Sequence, residues 1–227
     1  MIRSALIGTG ALFAALSLIA CGGSNETPAP VATSTQPAAT STPSAAVSPA
    51  AITVPSLPGP RLVETLRGGG HIVIFRHALT DMSQSDREPF TARDCSNQRN
   101  LSAAGREQSR MLGAEIRRLG IPYGVAVTSP YCRTRETAGL AFGTYDIDLA
   151  LEQQLVRDAA TTAQVMSRLL SAVPPAGLNT MMVTHSTNLT VLGLPIIDEG
   201  DAIVLMPDGS GWTAVALVKA ADWSAIP

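Results

Sequence analysis

Four side chains able to handle a phosphoryl group stand at three separated places in this 227-residue sequence: Arg76 with His77, then Arg133, then His185. A phosphate monoester brings about two negative charges and a set of peripheral oxygens. Arginine suits it, because the planar guanidinium stays charged and can pair with two oxygens at once. A neutral imidazole nitrogen can attack phosphorus and carry the phosphoryl group until water removes it. The pattern therefore assigns His77 as the nucleophile, Arg76 and Arg133 as the grip on the oxygens, and His185 as a hydrogen-bond donor to charge developing in the transition state. Taken singly, such residues are more often structural. Arg135 reads that way, as a surface ion-pair partner; Asp81 and Asp86, near the first motif, read as solvated surface in preference to lining the mouth of the pocket. The third histidine, His71, begins a strand away from the other two, and no acid-rich or Cys-His cluster supports a metal site.

The elements that must position the four can be read from periodicity. His71 to Phe75 is a β-branched run after Gly68-Gly69-Gly70, as expected of a buried strand. Ser102 is placed to cap a helix on which Leu112, Ile116 and Leu119 share a face, with Gly120 to end it. Val125 to Thr128 reads as a second strand. Ser129-Pro130 then reads as a cap followed by proline at the first helical position, with the helix running from Tyr131 to about Phe142. Val165, Met166, Leu169, Leu170 and Val173 indicate a third helix, and Thr180 to Thr184 a third strand. Ala202 to Met206 and Trp212 to Val218 flank Pro207-Asp208-Gly209-Ser210-Gly211, a hairpin signal. Alternating strands and helices imply a three-layer α/β/α sandwich with a mainly parallel central sheet. In such sheets ligands bind at strand ends, and Arg76-His77, Arg133 and His185 each follow a strand closely.

These segments resemble the histidine phosphatase (phosphoglycerate mutase-like) superfamily. Arg76-His77-Ala78-Leu79-Thr80 is similar to its opening Arg-His-Gly signature, and Leu101-Ser102 with Gly105 to its next helix start. Ser129 to Ala138, with Arg133 in the family position, resembles its second-arginine segment, and Val183-Thr184-His185-Ser186 its second-histidine strand. The resemblance covers about His71 to Val218. It implies a phosphoglycerate mutase-like fold and an acid phosphatase-like phosphoric monoester hydrolase that works through phosphohistidine on His77, without metal or other cofactor. Two departures matter. Ala78 replaces the signature glycine, and Ser186 stands where one branch of the superfamily carries an acid. The leaving-group proton donor is thus unassigned, with Glu199 favoured over Asp158. Mutase activity is disfavoured, because the segment between Phe142 and Thr161 is short for the lid such enzymes carry.

Composition places this domain in a compartment. Met1-Ile2-Arg3 is a short positive start, and Ala5 to Ala20 is an apolar run too short for a comfortable membrane span, so residues 1–20 read as a signal peptide. Leu18-Ile19-Ala20-Cys21 resembles the bacterial lipobox, whose cysteine becomes the lipidated first residue of the mature protein. The alternative is an ordinary cleaved signal. Gly22 rather than Asp follows, which resembles lipoproteins passed on to an outer membrane. Residues 21–58, rich in Ser, Thr, Pro and Ala, bury too little apolar surface to offset ordering entropy and read as a lipidated, disordered tether. The catalytic domain is then 59–227. With 16 Lys+Arg against 18 Asp+Glu, bulk charge recruits no nucleic acid, and the expected partners are a phosphorylated substrate and the membrane through Cys21.

Export also bears on Cys95 and Cys132, the two cysteines left once Cys21 is assigned. In an oxidising compartment a bridge between them is expected, with two buried thiols as the alternative. The sequence leaves two functional readings: a phosphomonoesterase outside the cytoplasm, or a non-catalytic phosphate-ligand-binding lipoprotein with a degenerate site.

Overall fold

The computed structural model describes residues 51–87, 91–92, 94–153 and 158–227. The leader expected at 1–20, Cys21 and the tether as far as residue 50 lie outside the described residues. The chain forms α1 (Gly59–Arg67), β1 (Ile72–Arg76), α2 (Ala103–Arg118), β2 (Ala126–Thr128), α3 (Cys132–Phe142), β3 (Tyr145–Ile147), α4 (Ala159–Leu170), β4 (Thr180–Thr184), α5 (Ser186–Thr190), β5 (Ala202–Pro207), β6 (Trp212–Val218) and α6 (Asp222–Ala225). The six strands make one sheet in the order β3-β2-β4-β1-β5-β6. Its β3-β2, β2-β4 and β4-β1 pairs are parallel, whereas β1-β5 and β5-β6 are antiparallel. The expected mixed α/β architecture with a mainly parallel sheet is what the chain adopts.

Period-two alternation in β1 explains the layering. Val73 and Phe75 face one way, into a core with Leu62 and Leu66 of α1, Leu112 and Ile116 of α2, Phe142 of α3 and Trp223 of α6. Ile72 and Ile74 face the other way, toward Met166 and Leu170 of α4 and Leu189 of α5. Each such fully buried aliphatic side chain contributes roughly 1.5 to 3 kcal/mol, so β1 is anchored from both faces. The register Arg76↔Thr184 brings the ends of β1 and β4 level, and the chain leaves both strands directly into a histidine.

Three details depart from the sequence reading. The N-terminal boundary moves, because residues expected as tether lie along the domain. Ile52 N–H donates to Gly193 O (2.7 Å), Leu217 N–H donates to Pro55 O (3.0 Å), and Ile52 and Val54 pack on the α4 side of the sheet. Ser129 does not cap α3: the cap position is Tyr131, with no side-chain cap bond, and Pro130 precedes the helix. Helix α1 and the edge strand β3 were not anticipated. Ser102 does cap α2, accepting from Gly105 N–H at 3.0 Å. Gly105 is required there, because a Cβ would collide with the Leu79 backbone carbonyl.

Candidate active site

His77 is 2% exposed and ends the β1 segment with its N–H donated to Thr184 O at 3.0 Å. Its Nδ1 lies 2.9 Å from Ala78 O, an acceptor only, so Nδ1 carries the proton and Nε2 keeps the lone pair. Burial, reinforced by Arg133, lowers the ring from 6.5 to about 3. The imidazole is therefore neutral at physiological pH, with its free lone pair on Nε2.

His185, 3% exposed, lies beside it with ring centroids 5.5 Å apart. Ser129 Oγ sits 3.0 Å from His185 Nε2 and accepts at 3.5 Å from Tyr131 N–H. Ser129 Oγ thus engages Nε2 and leaves His185 Nδ1 as the ring nitrogen without a partner among the described residues. Burial, then Arg133, pushes His185 well below its ordinary value. Ser129 is thus a residue that positions the second histidine, and its sequence signal was absorbed by the helix-cap reading. The sheet explains the meeting: Ser129 N–H continues β2 by donating to Val183 O at 3.0 Å.

Arg133, on the first turn of α3, is 1% exposed. Its guanidinium lies 4.6 Å above the Tyr131 ring. Its Nη1 donates to Asp86 Oδ1 (3.0 Å), and its Nη2 to Asp86 Oδ2 (3.3 Å) and Gln153 Oε1 (2.8 Å). Asp86, for which solvated surface was the favoured reading over a place lining the pocket, holds the buried arginine by its end, with its own side chain 35% exposed. Arg76 donates Nη1–H to Ile197 O at 2.8 Å and sets Nη2 3.5 Å from Glu199 Oε1.

Three buried donor atoms of this group, Arg76 Nε, Arg133 Nε and His185 Nδ1, have no hydrogen-bond partner among the described residues. Buried polar atoms are normally paired, and each one left without a partner costs about 1 to 3 kcal/mol. Three such nitrogens on three different elements, one of them on the ring beside His77, suit a group with three peripheral oxygens.

The two candidate acids separate. Asp158 caps α4, accepting from Thr161 N–H (2.8 Å) and Thr161 O–H (2.6 Å), and these bonds hold its exposed carboxyl below the usual range. It is committed to the helix. Glu199 is at the site but on the Nδ1 side of His77: Oε1 lies 3.9 Å from His77 Nδ1, and its oxygens accept from Thr80 N–H (3.0 Å) and Thr80 O–H (2.7 Å). Gln108 fixes this corner by donating to Glu199 O and accepting from Leu79 N–H. Glu199 therefore orients Arg76 and the first histidine loop from the Nδ1 side, the wrong side for a leaving oxygen at Nε2.

Cys95 and Cys132 form a disulfide with Cα atoms 5.7 Å apart. It ties the 81–100 loop to the residue before Arg133. Buried Gln98 of that loop accepts from Cys132 N–H at 2.9 Å. Arg135 Nη2 lies 3.2 Å from Cys132 Sγ and donates to Ala92 O at 3.2 Å, so it braces this junction rather than a surface ion pair. His71 Nδ1 meets Gly69 O at 2.8 Å, a structural bond. Ala78, at the signature glycine position, is buried and donates its N–H to Thr137 Oγ1 at 3.0 Å.

Residues 72–157 match the histidine phosphatase superfamily (branch 1). That stretch holds Arg76, His77, Ser129 and Arg133 and ends before His185. No curated protein matches the sequence significantly. Among solved structures, the chain is similar to the protein histidine phosphatase SixA complexed with tungstate, at 12% identity over 67% of this chain and 98% of that one, TM-score 0.49. It is also similar to the alpha-ribazole phosphatase from Shigella flexneri (15%, 66% and 96%, TM-score 0.48). A third similar structure is a phosphoserine phosphatase mutant from Entamoeba histolytica in complex with phosphoserine (9%, 66% and 97%, TM-score 0.46).

Proposed function

We propose that this domain, which carries the histidine phosphatase superfamily match over residues 72–157, hydrolyses phosphate esters or anhydrides through phosphohistidine on His77. The observation that carries the reading is the set of three unpartnered buried nitrogens, Arg76 Nε, Arg133 Nε and His185 Nδ1, on His77's neighbour in the chain, on the arginine that helps to lower its pKa and on the ring beside it. The phosphoryl oxygens take these donors, and the His77 Nε2 lone pair forms the P–N bond as the P–O bond to the leaving group breaks. Water then attacks the same phosphorus, its proton passes to solvent, and the P–N pair returns to Nε2. The arginines supply the charge neutralisation, so the reaction needs no metal ion. Asp86 and Tyr131 hold Arg133 so that its Nε edge is aimed before substrate arrives, which is the preorganisation that stabilises developing charge.

Location belongs to the same proposal. The lipobox-like end at Cys21 and the Cys95–Cys132 disulfide both support an exported, membrane-anchored enzyme. A binding lipoprotein with a degenerate site is the second reading, favoured by Glu199 lying on the Nδ1 side of His77. Assay of the full-length protein in detergent against p-nitrophenyl phosphate separates the two. The enzyme releases p-nitrophenol and its His77→Ala variant does not. The binding protein gives no release in either form while retaining phosphate.

A further inference from the structure

The loop that carries Asp86 also brings a third arginine to the site. Arg99 donates its backbone N–H to Asp86 Oδ1 at 2.9 Å, and its carbonyl lies 3.4 Å from Arg133 Nη1. Its backbone is thus locked against the clamp. Its guanidinium is not locked in the same way: Nη1 lies 3.2 Å from Met82 Sδ, a weak acceptor on a side chain 75% exposed, and it pairs with no carboxylate among the described residues. The other two arginines each face one, Arg76 facing Glu199 and Arg133 facing Asp86. Among the described residues Arg99 is thus the arginine of this group that faces no carboxylate, half-buried where Arg133 is fully buried.

The three unpartnered nitrogens of Arg76, Arg133 and His185 already match the three peripheral oxygens of the reacting phosphoryl group, so a further guanidinium on a residue held beside Arg133 addresses a second group. From this arrangement we infer that Arg99 binds a second anion on the leaving-group side of the substrate, and that the substrate class is a phosphoanhydride, a terminal phosphate joined through oxygen to another phosphate. This rests on the phosphatase reading and deepens it. The positions of the two candidate acids point the same way: Glu199 lies on the Nδ1 side of His77, away from a leaving oxygen at Nε2, and Asp158 is held by the α4 cap. A phosphoanhydride needs none: attack by His77 Nε2 on the terminal phosphorus breaks the P–O bond to the bridging oxygen, and the second phosphate departs with the electron pair as a stable anion. Arg99 meets the charge that accumulates there. Burial and then Arg133 do most to lower the protonation of both histidines, and the positive charge of Arg99 adds a smaller push in the same direction.

The test uses full-length wild type and Arg99→Gln, with thermal melting to confirm that both are folded. Calorimetry compares methylenediphosphonate, the non-hydrolysable analogue of pyrophosphate, with inorganic phosphate, a readout independent of turnover. Wild type binds methylenediphosphonate at least tenfold more tightly, and Arg99→Gln narrows that preference to about threefold or less. Kinetics then compares pyrophosphate with p-nitrophenyl phosphate, and the ratio of their kcat/KM values falls at least tenfold in the variant. Equal losses on both substrates would place Arg99 on the reacting phosphoryl group and overturn the inference, as would an unchanged preference. If no substrate turns over, the phosphatase reading fails while the calorimetric preference still decides the Arg99 site.

Discussion

The carboxylate of Asp86 lies end-on against the guanidinium of Arg133, with oxygens 3.0 and 3.3 Å from its two terminal nitrogens. This leaves Nε as the donor available to an anion. Arg133→Lys removes that second edge along with the Tyr131 stack, and a point charge cannot serve Asp86 and a phosphoryl group together. We expect kcat/KM to fall by a factor corresponding to about 3 kcal/mol, the scale of losing a transition-state donor. Asp86→Asn keeps the arginine but loosens its aim, and should cost about tenfold, the low end for a hydrogen bond to a charged group. Steady-state kinetics on an aryl phosphate checks both, and wild-type values for Arg133→Lys would remove Arg133 from the grip.

Ser129 offers a separate test of proton placement. Its hydroxyl is 3.0 Å from His185 Nε2, and without it the imidazole is free to carry its proton on the wrong nitrogen. Ser129→Ala should lower kcat by roughly five- to tenfold, the worth of one net hydrogen bond near 1 kcal/mol. KM should change little. A KM effect with kcat preserved would mean that Ser129 only shapes the pocket.

Acid behaviour follows from the buried histidines. His77 is lowered from 6.5 to about 3, chiefly by burial and then by Arg133, so between these values the unfolded chain binds a proton that the native one refuses. Stability is therefore fully present above about pH 6.5 and is lost progressively as pH falls toward 3. Thermal melts from pH 8 to pH 4 should show a steeper decline for wild type than for His77→Gln. Parallel declines would contradict the buried, neutral assignment. Because His77 stays unprotonated down to about pH 4, an acid limb of kcat/KM above that point must come from another group or from the substrate.

The disulfide couples stability to the site. Cys95 and Cys132 are 37 positions apart, and closing such a loop stabilises by roughly 3 to 4 kcal/mol in the chain-entropy view. Cys95→Ser with Cys132→Ser should lower the melting temperature and also weaken phosphate binding, since the loop bearing Asp86 and Arg99 is no longer tied beside Arg133. A drop in melting temperature with unchanged phosphate affinity would separate the bridge from the site.

What could be read in advance divides along physical lines. His77 and His185 follow β-branched runs buried on both faces, and such runs announce a strand without help from the rest of the fold. Arg133 was legible for the same reason. Ser129 was misread because Ser-Pro before a helical period fits a cap equally well, and only the neighbouring β4 end shows the hydroxyl engaged with His185. Asp86 and Arg99 sit in a loop with no hydrophobic period, whose path is set by the disulfide, Gln98 and Arg133 itself, so no local pattern marks them. Ile52 and Val54 lie within a Pro- and Ala-rich stretch whose composition masks two apolar residues that pack. Glu199 could be named from sequence, but the side of His77 it takes depends on Thr80 and Gln108, which are remote in the chain.

The central claim is that His77 carries the phosphoryl group. Full-length wild type mixed with a substrate labelled in the transferable phosphate and quenched in denaturant should retain label that is acid-labile and base-stable, as phosphohistidine is, and His77→Ala should retain none while melting as a folded protein. Acid-labile, base-stable label that persists in His77→Ala would contradict the account.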